Sequence, residues 1–308
     1  GGAVAGVDVR GGGPGTRETD ALDPRNLVDR IHAVCLSGGS AYGLAAADGV
    51  MGFLEGRQLG VPVGPEPHQV VPVVPAAVIF DLGRGGDFSR RPDRVFGERA
   101  ARAARPTTGR GTIGAGAGAR AGGLQGGVGM ASATIDIAGV TITVASLAVV
   151  NASGSLFDLS TGLPWSLHNS LRRPTAAQRA ALRTVCEAAP APPLNTTIGI
   201  VATDACLARP EVGRLAQSAH DGLARAIRPA HSLIDGDTVF GLATGVHDVG
   251  SIDAGTMRGV GSRASQLNLL FAMAAEVFET ACVDAVLTAT SFGSVPSYRE
   301  LCPSAFRA

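Results

Sequence analysis

The chain has 308 residues, 26 basic against 26 acidic side chains, 45% hydrophobic and 17% charged residues. That length and apolar content suit one large domain or two modest ones with a sizeable core. Zero net charge without a basic block argues against nucleic acid or an anionic membrane as main partner, and no apolar run approaches membrane-spanning length.

Gly and Pro punctuate the first 130 residues. Within them and just beyond, 30–36, 69–82 and 133–150 are rich in Val and Ile and are predicted as strands, nearly continuous in apolar character and so buried on both faces. A helix is predicted over 40–54 after the Gly38-Gly39 turn, a second over 96–104, and a third over 175–189, entered through Arg173-Pro174. Residues 188–194 (AAPAPPL) are too Pro-rich for helix or central strand and are expected to be an exposed connector. The β-branched run 196–203 (TTIGIVAT) follows as a buried strand. From Pro210 a helix is predicted whose apolar stripe comprises Val212, Leu215, Ala216, Ala219, Leu223, Ala226 and Ile227. A longer, Ala-rich buried helix is predicted over 265–287. Strands followed by helices in both halves predict a layered α/β domain with helices outside the sheets.

Cys35, Cys186, Cys206, Cys282 and Cys302 are odd in number, widely spaced and form no C-x-x-C. That pattern fits free thiols in a reducing compartment, with no disulfide frame or zinc site. The six histidines show no metal-ligand spacing, so no metal and no cofactor is expected. His220 is expected to pack beside its helix's apolar stripe. All 26 basic residues are arginine.

Four segments could carry chemistry. A threonine hydroxyl needs a base, and if the Asn195–Thr196 bond is cut, the new α-amine of Thr196 can serve, with a reference pKa of roughly 7.7 to 8.0. The plainer reading of Asn195-Thr196-Thr197 is a turn with a polar strand start. Asp235-Gly236-Asp237 could orient a nucleophile or share a proton, or simply close a turn. Asn151, at a strand end, could donate to an oxyanion or end a turn. Ser37-Gly38-Gly39-Ser40 suggests a phosphate loop, but without G-K-[ST] a tight strand-to-helix turn fits better.

Taken in order, these segments resemble the family of L-aminopeptidase/D-esterases, β-aminopeptidases and nylon-oligomer hydrolases. The pieces carrying the resemblance are GAVAGVDVR (2–10), PGTRETD (14–20), LSGGSAYGLAAADGV (36–50), VPAAVIFDL (74–82), GAGAGARAGGLQGG (114–127), Asn151, NTTIGIVATDA (195–205) and DGDT (235–238). The resemblance implies a four-layer αββα sandwich like that of N-terminal-nucleophile hydrolases. It implies one domain over 1–308, self-cleaved between Asn195 and Thr196 into pieces 1–195 and 196–308, which assemble into homo-oligomers. It implies catalytic Thr196, Asn151, Asp235 and Asp237, with Tyr42 lining the substrate pocket. The implied reaction is hydrolysis of small peptides, amino-acid amides or related oligomers, and the reducing compartment that the cysteines suggest is expected to be the cytoplasm. Relative to the family, a few tens of N-terminal residues are expected to be missing, with any targeting segment among them.

Many relatives carry a lysine in the Gly-rich segment, where this chain has Gln125, or Gly123 if the alignment slips. The amine of Thr196 is therefore expected to lack a nearby cation and to titrate close to its reference value. Two alternatives stand: an acyltransferase of the ornithine acetyltransferase type, and an inactive scaffold protein.

Overall fold

The computed structural model describes residues 1–137, 139–166, 171–188, 194–250 and 263–306. Its larger sheet has five strands: β1 (Val4–Val9), β5 (Gly127–Ile137), β6 (Val140–Asn151), β7 (Thr196–Ala205) and β8 (Thr238–His247), ordered β1-β8-β7-β6-β5. β7 runs parallel to β8, and the other pairs are antiparallel. The smaller sheet contains β2 (Thr16–Arg17), β3 (Cys35–Ser37) and β4 (Ala76–Val78), ordered β2-β4-β3.

Three apolar clusters define four layers. Val149, Ile198 and Phe240 of the large sheet meet Ala77 and Ile79 of the small sheet's layer. On its other face the large sheet packs against α4 (Arg209–Ala226) and α5 (Arg263–Leu287), through residues such as Val201, Leu215 and Phe278. Behind the small sheet, Ala47, Val50 and Leu54 of α1 (Ala46–Glu55) cover Cys35, Val74 and Ala76, with α2 (Arg94–Ala103) against α1; Leu182 of α3 (Ala176–Ala188) joins the cluster of α4 and α5. This is the αββα sandwich that the resemblance implies.

Local chemistry explains the elements. In α4, Pro210 stands in the first turn, where a missing N–H costs nothing. The Glu211 carboxylate accepts from Ala208 N at 2.8 Å and pairs with Arg263 at 2.7 Å. The predicted stripe of α4 is buried throughout. Gly222 lets α4 meet α5 closely, since a Cβ there would lie 2.0 Å from the Ala275 carbonyl oxygen.

Three expectations need correction. The strand predicted over 133–150 is a hairpin of β5 and β6, because Gly139 takes φ +81, a value its lack of Cβ permits. The strand predicted over 69–82 shrinks to Ala76–Val78 and a separate Val70–Val71, because Pro72 and Pro75 cannot donate to a ladder. Over 30–36 only Cys35 onward pairs as a strand, with Ile31 making an isolated bridge to Ala3. Residues 189–193 of the Pro-rich connector lie outside the described residues.

His220 is fully buried on α4, its Nε2 3.0 Å from the Asp8 carbonyl oxygen. Burial, with nearby His231 acting in the same direction, pushes its pKa down to about 4. A depressed histidine pKa means the native state resists protonation that the unfolded chain accepts from pH 6.5 downward. Between pH 6.5 and 4 the fold is therefore expected to lose on the order of 3 kcal/mol from this group. His220→Gln should flatten that acid slope, and urea unfolding of both proteins at pH 7 and pH 4.5 checks it.

Candidate active site

Strand directions bring three chain segments together. β6 ends at Asn151, directly opposite Thr196, which begins antiparallel β7. β8 runs parallel to β7, so the turn before it, 235–237, arrives at the same end of the sheet, and Asn195 bridges to Asp235. Thr196, Asn151, Asp235 and Asp237 are thus brought together.

Thr196 is 3% exposed and Asn195 1%. The bond between them is buried, not displayed on an exposed connector as the Pro-rich approach predicts. The reason is its ladder: Asn195 N donates to the Ile234 carbonyl at 2.9 Å, and Gly236 N donates to the Asn195 carbonyl at 3.1 Å. The Thr196 hydroxyl donates to that same Asn195 carbonyl oxygen. Both side-chain polar atoms of Asn195 are buried without a partner among the described residues.

Asn151 is fully buried. Its Nδ2 donates to the Phe80 carbonyl at 3.2 Å, and its Oδ1 accepts from Arg120 N at 3.0 Å and from the Arg84 guanidinium. One Nδ2 proton is committed to Phe80, which fixes the amide's orientation and leaves the other available.

The two aspartates do not share a proton. Asp235 accepts from the Ser153 hydroxyl at 2.9 Å, the Ser232 hydroxyl at 2.5 Å and Ser232 N at 3.1 Å. Asp237 accepts from Thr197 N at 2.7 Å through Oδ1, and Oδ2 lies 2.8 Å from His231 Nδ1. Burial raises the pKa of Asp237, against the lowering influence of its bonds to His231 and Thr197 N. A raised carboxyl pKa contributes stability below the unfolded value of 3.8 and loses it as pH climbs. Asp237→Asn is therefore expected to gain in melting temperature relative to the parent on going from pH 4 to pH 7, while turnover falls. Asp235→Asn should also cut turnover more than stability. If both carboxylates merely closed a turn, Asn would replace them with activity intact, since it is a good turn former; kcat beside thermal melts decides.

Tyr42 is not gathered in. It is 56% exposed and makes no hydrogen bond to Thr196, Asn151, Asp235 or Asp237 among the described residues. Arg91 covers its ring at 3.8 Å from the centroid, and Arg91 lines a cleft of about 590 Å³ that also includes Arg84.

Sequence reasoning missed two residues. His231, which begins the segment 231–238 carrying the two aspartates but was given no role, holds Asp237 and takes φ +57, unusual for a side-chain-bearing residue. Arg84 bridges Asn151 Oδ1 and, at 3.2 Å, the Leu194 carbonyl. A lone arginine in Gly83-Arg84-Gly85-Gly86 was its only signal; Gly83 and Gly85 take φ +72 and +101 and turn it inward. Arg84 thus brings a cation to Asn151 and to the Leu194 carbonyl, two residues before Thr196. Gln125 is buried in the wall of a small cavity shared with Arg84 and Arg120, and its amide donates to the Ala117 carbonyl at 3.1 Å.

The sequence model of Peptidase family S58 matches residues 1–297. The chain belongs to Peptidase family S58. An uncharacterised aminopeptidase of Mycobacterium tuberculosis is 49% identical over 311 residues, covering 99% of this chain and 88% of that protein. A 6-aminohexanoate-oligomer endohydrolase of Kocuria sp. is 30% identical over 307 residues, covering 92% and 77%. The solved L-aminopeptidase D-Ala-esterase/amidase of Ochrobactrum anthropi, described as a prototype for serine aminopeptidases and a variant of the Ntn hydrolase fold, superposes with TM-score 0.65 at 20% identity, covering 100% and 78%. This S58 member is a peptide or amide hydrolase with the Ntn-type sandwich. No described helix is long and apolar enough to cross a membrane.

Proposed function

We propose that the protein cuts itself between Asn195 and Thr196 and then hydrolyses amide bonds with Thr196 as an N-terminal nucleophile. The observation that carries this reading is the Thr196 hydroxyl on the Asn195 carbonyl, with Asn151 directly across the ladder. In processing, Oγ1 bonds to the Asn195 carbonyl carbon and the C–N bond breaks. The hydroxyl proton passes to the departing nitrogen, which leaves Asn195 as an ester on Thr196. Water then hydrolyses the ester, freeing an Asn195 carboxylate and the Thr196 α-amine.

That amine is the base for the second task. It takes the Oγ1 proton as the oxygen attacks a substrate carbonyl, and the proton goes on to the leaving amine; water, deprotonated by the same amine, then cleaves the acyl ester, which releases the acid and restores the Thr196 hydroxyl. The free N–H of Asn151 donates to the oxyanion. Asp237, holding Thr197 N, fixes the strand that carries the nucleophile. Asp235 pins the loop of Ser153, two residues beyond Asn151.

Suitable substrates are small peptides, amino-acid amides or related oligomers, the last suggested by the relative named for 6-aminohexanoate oligomers. Five free cysteines fit a reducing, cytoplasmic setting. Pieces 1–195 and 196–308 stay together and assemble as homo-oligomers, to which exposed apolar side chains such as Leu27 and Leu233 are available.

Intact mass under denaturing conditions, with N-terminal sequencing, tests the cut. Two fragments are expected, the smaller beginning Thr196-Thr197-Ile198. Any other new N-terminus would remove Thr196 as the nucleophile.

A further inference from the structure

Arg84 and Arg120 line one small cavity of about 80 Å³, closed on other sides by Gln125, Gly118 and Phe292. Among the described residues neither guanidinium makes an ion pair within 4 Å. The Arg120 side chain has no hydrogen-bond partner there either; only its backbone N–H is used, on Asn151. Burial and the like charge of Arg120 hold the Arg84 pKa down to about 10, with Asp81 acting the other way. Two half-buried cations facing one cavity repel, and the cheapest relief is an anion between them.

The cavity has room for more than one water-sized group, enough for a carboxylate. Guanidinium forks suit that group better than any other side chain does. The position is also telling. Arg84 and Arg120 both bond to Oδ1 of Asn151, one through its guanidinium and one through its backbone, and Asn151 faces Thr196. The small cavity shares Arg84 with the 590 Å³ cleft and Arg120 with a second cleft of about 620 Å³. A substrate entering from either side would meet the cation pair.

We infer that Arg84 and Arg120 form a carboxylate subsite, and that the preferred substrates are short amides carrying a free carboxylate, such as unblocked dipeptides, over their neutral end-capped counterparts. This rests on the hydrolase reading for its turnover but not for its binding.

The test compares alanyl-alanine with alanyl-alaninamide on the purified protein and on Arg120→Gln and Arg120→Lys. Arg84 is left alone because its guanidinium touches Asn151. The free acid is expected to have a kcat/KM about tenfold higher, as for one charge-assisted fork. Arg120→Gln should bring the ratio close to one, and Arg120→Lys should restore part of it. Thermal shift reads binding without turnover: the free acid should raise the melting temperature more than the amide, and Arg120→Gln should erase the difference. Equal kcat/KM for the two compounds, or a preference that survives Arg120→Gln, would overturn the subsite. Turnover of neither compound would count against the hydrolase reading, and the thermal shifts would then decide the subsite alone: a selective shift supports it and equal shifts refute it.

Discussion

Thr196→Ala is expected to purify as one uncut 308-residue chain, folded, with amide hydrolysis reduced by at least about a thousandfold. The hydroxyl is the attacking atom for both proposed reactions, so its loss removes the chemistry and not merely its efficiency. The fold should tolerate the change. Among the described residues Oγ1 bonds only to the neighbouring Asn195 carbonyl, which keeps its bond from Gly236 N. The cost is then about 1 kcal/mol, the net worth of one hydrogen bond. Denaturing electrophoresis and an anilide assay measure both halves of the prediction. A cut chain, or one that hydrolyses amides at the parent rate, would end the case for Thr196.

Asn151→Asp separates donation from support. An aspartate keeps an oxygen for Arg84 and for Arg120 N, and gains charge attraction to Arg84, but it has no N–H to give an oxyanion. It also loses the bond to Phe80. Turnover is expected to fall about 10² to 10³-fold, the usual cost of one oxyanion donor, with processing slowed in parallel because the same carbonyl geometry is used. If kcat is unchanged while KM rises, the amide serves binding and the donor lies elsewhere.

The long periodic elements were legible in the sequence. The α4 stripe, the β-branched start of β7 and the Ala-rich α5 have single answers, since each pattern buries one face or all of them. The hairpin of β5 and β6 was not, because one glycine inside an apolar run looks like a strand interior until its φ is known. In the site, Thr196, Asn151, Asp235 and Asp237 could be named because each sits in a segment shared with a resembling family. Arg84 could not. It lies 67 residues from its partner Asn151, and no local periodicity records a contact that only the stacking of two sheets creates. His231 escaped for a different reason: its partner is near in sequence, but its use is to hold a carboxylate, which leaves no spacing rule. Burial of the 195–196 bond was invisible for a related cause, since proline content describes the approach and not the ladder that receives it.

If the proposed cut between Asn195 and Thr196 occurs, the strand order β1-β8-β7-β6-β5 has a consequence for the life of the molecule. The two strands beyond the cut, β7 and β8, lie between strands from before it, β1 on one side and β6 on the other. Before scission the chain can unfold and refold by itself, a first-order process indifferent to concentration. After scission the same sheet can be rebuilt only when two separate polypeptides meet and interleave. Return then becomes second-order and competes with aggregation of exposed edges. Dilution should slow the recovery of the cut protein and leave that of Thr196→Ala unchanged. The tether between the halves would thus be used once, to fold the protein, and its removal would turn a concentration-independent refolding into one that depends on the two pieces meeting.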